Sequence, residues 1–366
     1  MLVIEQVNIA TTPRYNFPQS LEDLGLPQRF IELSLRSMRN VEGAYFQSYE
    51  VSPQESMLGA SEEITPFFPH NQLPTVQSIP LKPLYSETKI AAIDVSSVRV
   101  GETATGMLFA VRGSVVWKEK SQYRFLRLGP FPFHITEENK REIYNLFRQY
   151  YFGTLDEVSA PSLIFMQTRM GNLLERWIQM AVCSASRDSI ILWDGSLTAG
   201  MVDSPLSVVS QLLDVARRRS NTVLAFSKTT RLRLFGSRLT DLMERCQPPC
   251  LLEIDGHPVS LSGPVHFLGN IYVAKLAEGS CSFRLDIDRK VSREGGVEAV
   301  QRLLGNDLLP QSYPETLRLA HIFATFTANE VIGIQRFIAQ KCGLRIVARP
   351  NIRRILFGPY GKGPEG

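Results

Sequence analysis

Cysteine is scarce in this chain. There are five in 366 residues (Cys183, Cys246, Cys250, Cys281 and Cys342), an odd number with no framework spacing. That argues against a small secreted fold stapled by disulfides and makes a reducing cytoplasm the expected setting. No run of eighteen apolar residues occurs, so no membrane-spanning helix and no membrane partner are expected. Met1-Leu2-Val3-Ile4-Glu5 lacks the basic start, long apolar core and cleavage site of a secretory leader. Internal repeats and coiled-coil heptads are missing too. A strong charge of one sign is also absent: the formal balance of +4 permits a nucleic-acid partner without requiring one.

What is present is the composition of an ordinary globular protein, 44% hydrophobic and 21% charged, long enough for one or two domains. Residues 1–85 read as an N-terminal extension, with a helix over Pro27 to Asn40 and a Pro-, Ser- and Glu-rich loop or arm over Ser52 to Pro83. Residues 86–342 read as the main domain, with a core over 86–240, a β/α insertion over 241–310 and a helix over 313–342. A basic tail over 343–366 carries Arg345, Arg349, Arg353 and Arg354.

The core is organised around Ser189-Ile190-Ile191-Leu192-Trp193-Asp194-Gly195-Ser196. An apolar run bounded by a turn signal predicts a strand covered on both faces. It delivers Asp194 to its carboxyl end, where open α/β sheets place their ligands. Gly195 then permits a sharp exit. Lys89 to Ser96 repeats this grammar around Asp94, and Asn221 to Lys228 repeats it with a base at the end. Thr105 to Lys118 and Ser121 to Ile135 are β-rich and separated by short polar links, so with the Asp94 strand they predict an antiparallel meander. Thr136 is the expected N-cap of a helix. A second helix over Ser162 to Ser186 carries Glu175 among an apolar stripe, and a third covers Leu206 to Arg219. Three meander strands, helix, strand, helix, strand is the order of the ribonuclease-H-like fold. The expected class is therefore α/β: a mixed-sheet core flanked by helices, with an additional β-rich insertion and a C-terminal helix.

In that fold carboxylates from the first strand, first helix and fourth strand meet, and Asp94, Glu175 and Asp194 stand at those places. Hard cations such as magnesium and manganese take oxygen ligands, and converging carboxylates hold them in nucleases. His321 shares a stripe with Leu317, Ala320, Ala324 and Ala328 and is expected to face inward, as a core residue, a ligand or a proton carrier. Tyr313 lies eight residues earlier, roughly 12 Å along a continuous helix, too far to share an ion with His321. It contacts a phosphate, shapes the pocket or caps the helix. Lys228, Arg231 and Arg233 follow the third buried strand, where a phosphate backbone needs positive charge. Arg217, Arg218 and Arg219 answer instead to the helix dipole and solvent. Cys246, Cys250, His257 and His266 form a rival zinc reading with too wide a histidine spacing. Asp255 and Asp286 are further acids at β ends, outside the core.

Asp94-Val95-Ser96, Ile191-Leu192-Trp193-Asp194-Gly195-Ser196, Phe226-Ser227-Lys228 and the Tyr313-Pro314 … Leu317 … Ala320-His321 pattern together resemble the NurA nucleases, over about residues 86 to 325. The resemblance implies a ribonuclease-H-like, manganese-dependent 5′-to-3′ deoxyribonuclease, with magnesium as the alternative ion. It also implies a homodimer that resects DNA ends in repair beside HerA, a hexameric ATP-driven DNA translocase. It carries metal-binding roles to Asp94, Glu175 and Asp194, and active-site roles to Tyr313 and His321, the latter as a further metal ligand or a proton relay. The first motif departs from the family, reading Asp-Val-Ser where Asp-Gly-Ser is usual. Two other readings stay open: a catalytically inactive DNA-binding adaptor of such a translocase, and another ribonuclease-H-like nuclease such as a resolvase.

Overall fold

Alternation along three neighbouring strands decides which way each side chain points. In the computed structural model, Ile90, Ala92, Ile190, Leu192, Leu224 and Phe226 enter one buried cluster. Their chain neighbours Ala91, Ile93, Ile191, Trp193, Val223 and Ala225 enter another on the opposite side of the sheet. Both faces are therefore covered, which is why these runs carry no polar residue until their ends. The structure describes residues 26–41, 43, 45–48, 66–67, 76–153, 158–230, 232–234, 237–243, 246–254, 259–260, 265–279 and 281–347.

Among the described residues, eleven strands form the main sheet. They are β1 (Tyr45–Ser48), β2 (Val76–Pro80), β3 (Lys89–Thr103), β4 (Gly106–Glu119), β5 (Gln122–Thr136), β6 (Ser189–Asp194), β7 (Thr222–Ser227), β8 (Cys250–Ile254), β9 (Gly269–Lys275), β10 (Phe283–Asp288) and β11 (Arg345–Val347). Strands β3, β4 and β5 are an antiparallel meander. Strand β6 lies parallel to β3 and β7 parallel to β6. The order β5-β4-β3-β6-β7 with these directions is the ribonuclease-H-like core. Beyond β7 the same sheet continues antiparallel through β10, β9, β8 and β2.

One face is covered by α1 (Leu26–Met38), α2 (Lys140–Phe152), α3 (Leu163–Ala185) and α4 (Leu206–Arg218), and the other by α5 (Arg293–Asn306) and α6 (Glu315–Ala324). A further helix, α7 (Ala328–Lys341), packs through Val331 and Ile338 on Val100, Leu108 and Ala110. Each fully buried Val, Leu, Ile or Phe contributes about 1.5–3 kcal/mol on leaving water. Helix α3 comes close to the sheet because Gly113 offers no side chain; a Cβ there would stand 2.4 Å from Ile178 Cδ1.

Several expectations are corrected. The strand carrying Asp94 does not end there but runs on to Thr103, because β4 pairs with it along nearly its whole length. Only its parallel pairing with β6 stops, at Ile93 opposite Trp193. Thr136 ends β5 rather than capping a helix; α2 begins after Asn139, whose amide donates to Thr136 Oγ1 at 3.2 Å. The helix expected over 313–342 is two helices broken at Thr325-Phe326-Thr327, since Thr327 and Glu330 form a reciprocal capping box that starts α7. The arm over 52–83 supplies an edge strand, Val76–Pro80, to the main sheet. No helix among the described residues is long and apolar enough to cross a membrane.

Candidate metal centre

Even-numbered residues of β3 and β6 face α5 and α6, so Asp94 and Asp194 emerge on that side, where the parallel pairing of the two strands ends. Two acids on adjacent parallel strands become neighbours without any special loop. Gly195 turns the chain away immediately afterwards at φ +109, a conformation that L side chains rarely adopt, and its amide donates to Phe226 O at 2.8 Å. The Asp194 end of β6 is thereby pinned to β7.

Helix α6 brings the third group. Leu317, Ala320 and Ala324 form its buried face. His321 does not point inward with them, as the stripe predicts. Its side chain is 47% exposed at the rim of that face, with Nδ1 2.7 Å from Asp94 Oδ2. Asp94 itself is buried, and its Oδ1 accepts from the Val95 amide at 2.9 Å. With an ionised carboxylate this contact puts the ring proton on Nδ1 and leaves Nε2 as the lone-pair atom. Ligand atoms of Asp94, Asp194 and His321 all lie within 4.8 Å of one another, a set that can hold a divalent cation. Two carboxylates and an imidazole suit manganese or magnesium better than a soft, thiolate-seeking ion.

Lys228, the first residue after β7, donates from Nζ to Asp194 Oδ2 at 2.7 Å. Its ammonium also lies 5.8 Å from the centre of the Tyr313 ring. Burial pushes the Asp194 carboxyl up, Lys228 pulls it back, and Asp94 adds to the rise; the net direction is upward. Tyr313 is not on the helix at all. It precedes the capping Pro314 and sits between Phe226 and Phe283, at 6.2 and 5.1 Å between ring centres. Its buried hydroxyl has no hydrogen-bond partner among the described residues. Burial, then the charges of Asp194 and Asp94, hold its pKa far above the usual phenol value. Tyr313 thus stands beside Lys228 and near enough to Asp194 and Asp94 for their charges to act on its phenol.

Glu175 approaches from α3, on the other face. It is outside the Asp94–Asp194–His321 set, and its Oε1 accepts from Gln179 Nε2 at 3.0 Å. Desolvation raises its carboxyl to about 7, with Arg176 opposing and Asp94, Asp194 and Asp203 adding to the rise. Of the other basic candidates, Arg233 is exposed on the short strand Arg233–Leu234, and Arg231 lies outside the described residues. Asp255, and His257 of the zinc reading, also lie outside them. Asp286 is buried in a two-pronged pair with Arg284, both contacts 2.7 Å, and accepts from the Leu197 amide at 3.0 Å. It braces the chain leaving Asp194; Arg284 and Asp286 two apart on a strand are the sequence signal for that pair.

Sequence reasoning missed the groups that hold α6. At its start Asp307 accepts from the Thr316 amide at 3.0 Å and from Tyr123 at 2.9 Å. At its end Arg127 donates to Phe323 O at 3.1 Å and Arg112 to Thr325 O at 3.2 Å. Both arginines also bind Glu330, at 2.8 and 3.0 Å. The Thr-x-x-Glu spacing was a legible signal; the arginines, on strands far away in sequence, gave none.

No known family model matches this chain, and comparison with curated proteins gives no significant match. Among solved structures it is similar to the NurA nuclease from Sulfolobus solfataricus, at 15% identity over 87% of this chain and 96% of that one, with a TM-score of 0.44. It is also similar to endonuclease V from Bacillus subtilis, at 11% identity over 72% of this chain and 88% of that one, with a TM-score of 0.31. Both scores lie below 0.5, so the functional reading rests on the chain's own topology and side chains.

Proposed function

We propose that this chain is a divalent-metal-dependent nuclease that hydrolyses phosphodiester bonds in DNA. The observation that carries the reading is the meeting of Asp94, Asp194 and His321 at the end of the parallel strands, with Lys228 beside them. A cation held there would supply Lewis acidity to the phosphate and acidify an attacking water. Asp94 and Asp194 would hold it. His321, its Nδ1 engaged by Asp94, presents Nε2 to ligate or to take a proton. Lys228 would meet a non-bridging phosphate oxygen, where charge develops during displacement. Glu175, its carboxyl raised to about 7 chiefly by burial, would give or take a proton.

The motif resemblance supports the finer reading: manganese as the ion, attack on DNA ends with 5′-to-3′ direction, end resection in repair, a homodimer, a HerA-like ATPase as partner and a cytoplasmic setting. The test is digestion of end-labelled single- and double-stranded DNA in manganese, with the wild-type chain and Asp194→Ala. Cleavage that falls about 10²-fold or more in the variant is the expected result. Cleavage indifferent to the substitution would remove the site assignment, and no cleavage by the wild type would leave the binding-adaptor reading.

A further inference from the structure

Each acid of the centre already holds an internal partner: His321 Nδ1 on Asp94 Oδ2 and Lys228 Nζ on Asp194 Oδ2, both at 2.7 Å. The two partners are mounted differently. His321 rides on a helix fixed at both ends by Asp307, Arg112 and Arg127. Lys228 follows the last residue of β7, its side chain 36% exposed, on a flexible stem. A cation seated among Asp94, Asp194 and His321 would have to share Asp194 with that ammonium, and two positive charges at such range repel. The ammonium is the group free to yield. The Tyr313 ring flanks its present position, and no carboxylate other than Asp194 is paired with it among the described residues.

We propose that Lys228 is an exchangeable counter-ion: it neutralises Asp194 until a divalent cation enters, then transfers its charge to the phosphate of the bound nucleotide. This rests on the nuclease reading and deepens it. The consequence is coupling between cation and phosphate. The cation alone must displace Lys228 at a cost, whereas a phosphate beside it gives the displaced ammonium a new partner. Each ligand therefore tightens the other, by the same factor in both directions.

Calorimetric titration of manganese into the chelator-stripped full chain tests this, alone and with thymidine 3′,5′-bisphosphate, which has no internal phosphodiester to cleave. Lys228→Met is expected to bind manganese alone about fivefold or more tightly than wild type. The nucleotide is expected to tighten manganese binding by a similar factor in wild type and hardly at all in Lys228→Met. Lys228→Arg, which keeps the charge, should retain the weaker binding of manganese alone. Equal or weaker manganese binding by Lys228→Met would overturn the proposal, because it makes the lysine a bystander or a structural prop. Wild type that cleaves DNA in manganese while showing no such difference loses only the exchange idea. Wild type that neither binds manganese nor cleaves loses the nuclease reading beneath it.

Discussion

His321 Nδ1 stands 2.7 Å from Asp94 Oδ2, closing a contact between residues 227 positions apart. Neither residue makes the contact by its own element alone. Asp94 is carried by β3, and His321 by a helix whose ends are tied to residues of β4 and β5: Arg112, Tyr123 and Arg127. The meander thus sets one acid directly and the histidine indirectly.

Replacing His321 by Gln separates chemistry from stability. Its side chain is nearly half exposed, and a pair of that exposure contributes at most about 1 kcal/mol. On the nuclease reading, cleavage assayed in manganese is expected to drop about 10²-fold or more while the unfolding midpoint barely moves. Parallel melting and cleavage measurements check this; a large loss of stability with proportionate loss of activity would make His321 a packing residue.

Glu175 makes the metal-stripped protein sensitive to pH. Its native pKa, lifted to about 7 chiefly by desolvation, lies above the ordinary 4.5. Between those values the native state binds more protons than the unfolded one, so this group's contribution to stability falls as pH rises from about 4.5 to about 7. The loss has a ceiling of about 3 kcal/mol. Urea midpoints at pH 5 and pH 8 in EDTA should diverge for wild type and converge for Glu175→Gln; identical slopes in the two proteins would contradict the placement.

Glu330 has the opposite sign. Burial alone would raise its carboxyl, but the Thr327 amide, then Arg112 and Arg127, bring it down to about 2. Its contribution is present above the ordinary 4.5 and is lost as pH falls towards about 2. Glu330→Ala removes half of the capping box and the partner of both arginines. A loss of about 1–2 kcal/mol is expected in denaturant titration at pH 7, shrinking in acid.

The core was legible because its strands are covered on both sides. Unbroken runs such as Ile190-Ile191-Leu192-Trp193 have few other uses, and their order along the chain already distinguishes the meander from the parallel pair. Asp194 and Lys228 were legible for the same reason, as the first charged residues after such runs. What the sequence concealed depends on partners distant along the chain. His321 turns to the rim because Asp94 draws it there, although its spacing fits the buried stripe. Tyr313 stays off the helix because Pro314 takes the capping position. The placement of Val76–Pro80 needs β8 as its partner, and no local pattern announces an edge strand in a proline-rich stretch.

That strand and β1 also bear on how the chain reaches its native state. Pro80 pairs with Cys250 and Tyr45 with Arg345, so the earliest strands of the sheet close against some of the latest. Pairings of such sequence separation form slowly, because the intervening loop must be ordered before any contact repays it. During synthesis these segments emerge with their partners still unmade, as unpaired strand edges open to association. The meander, by contrast, can form from local turns, so the half of the sheet bearing Asp94 is expected to precede the rest.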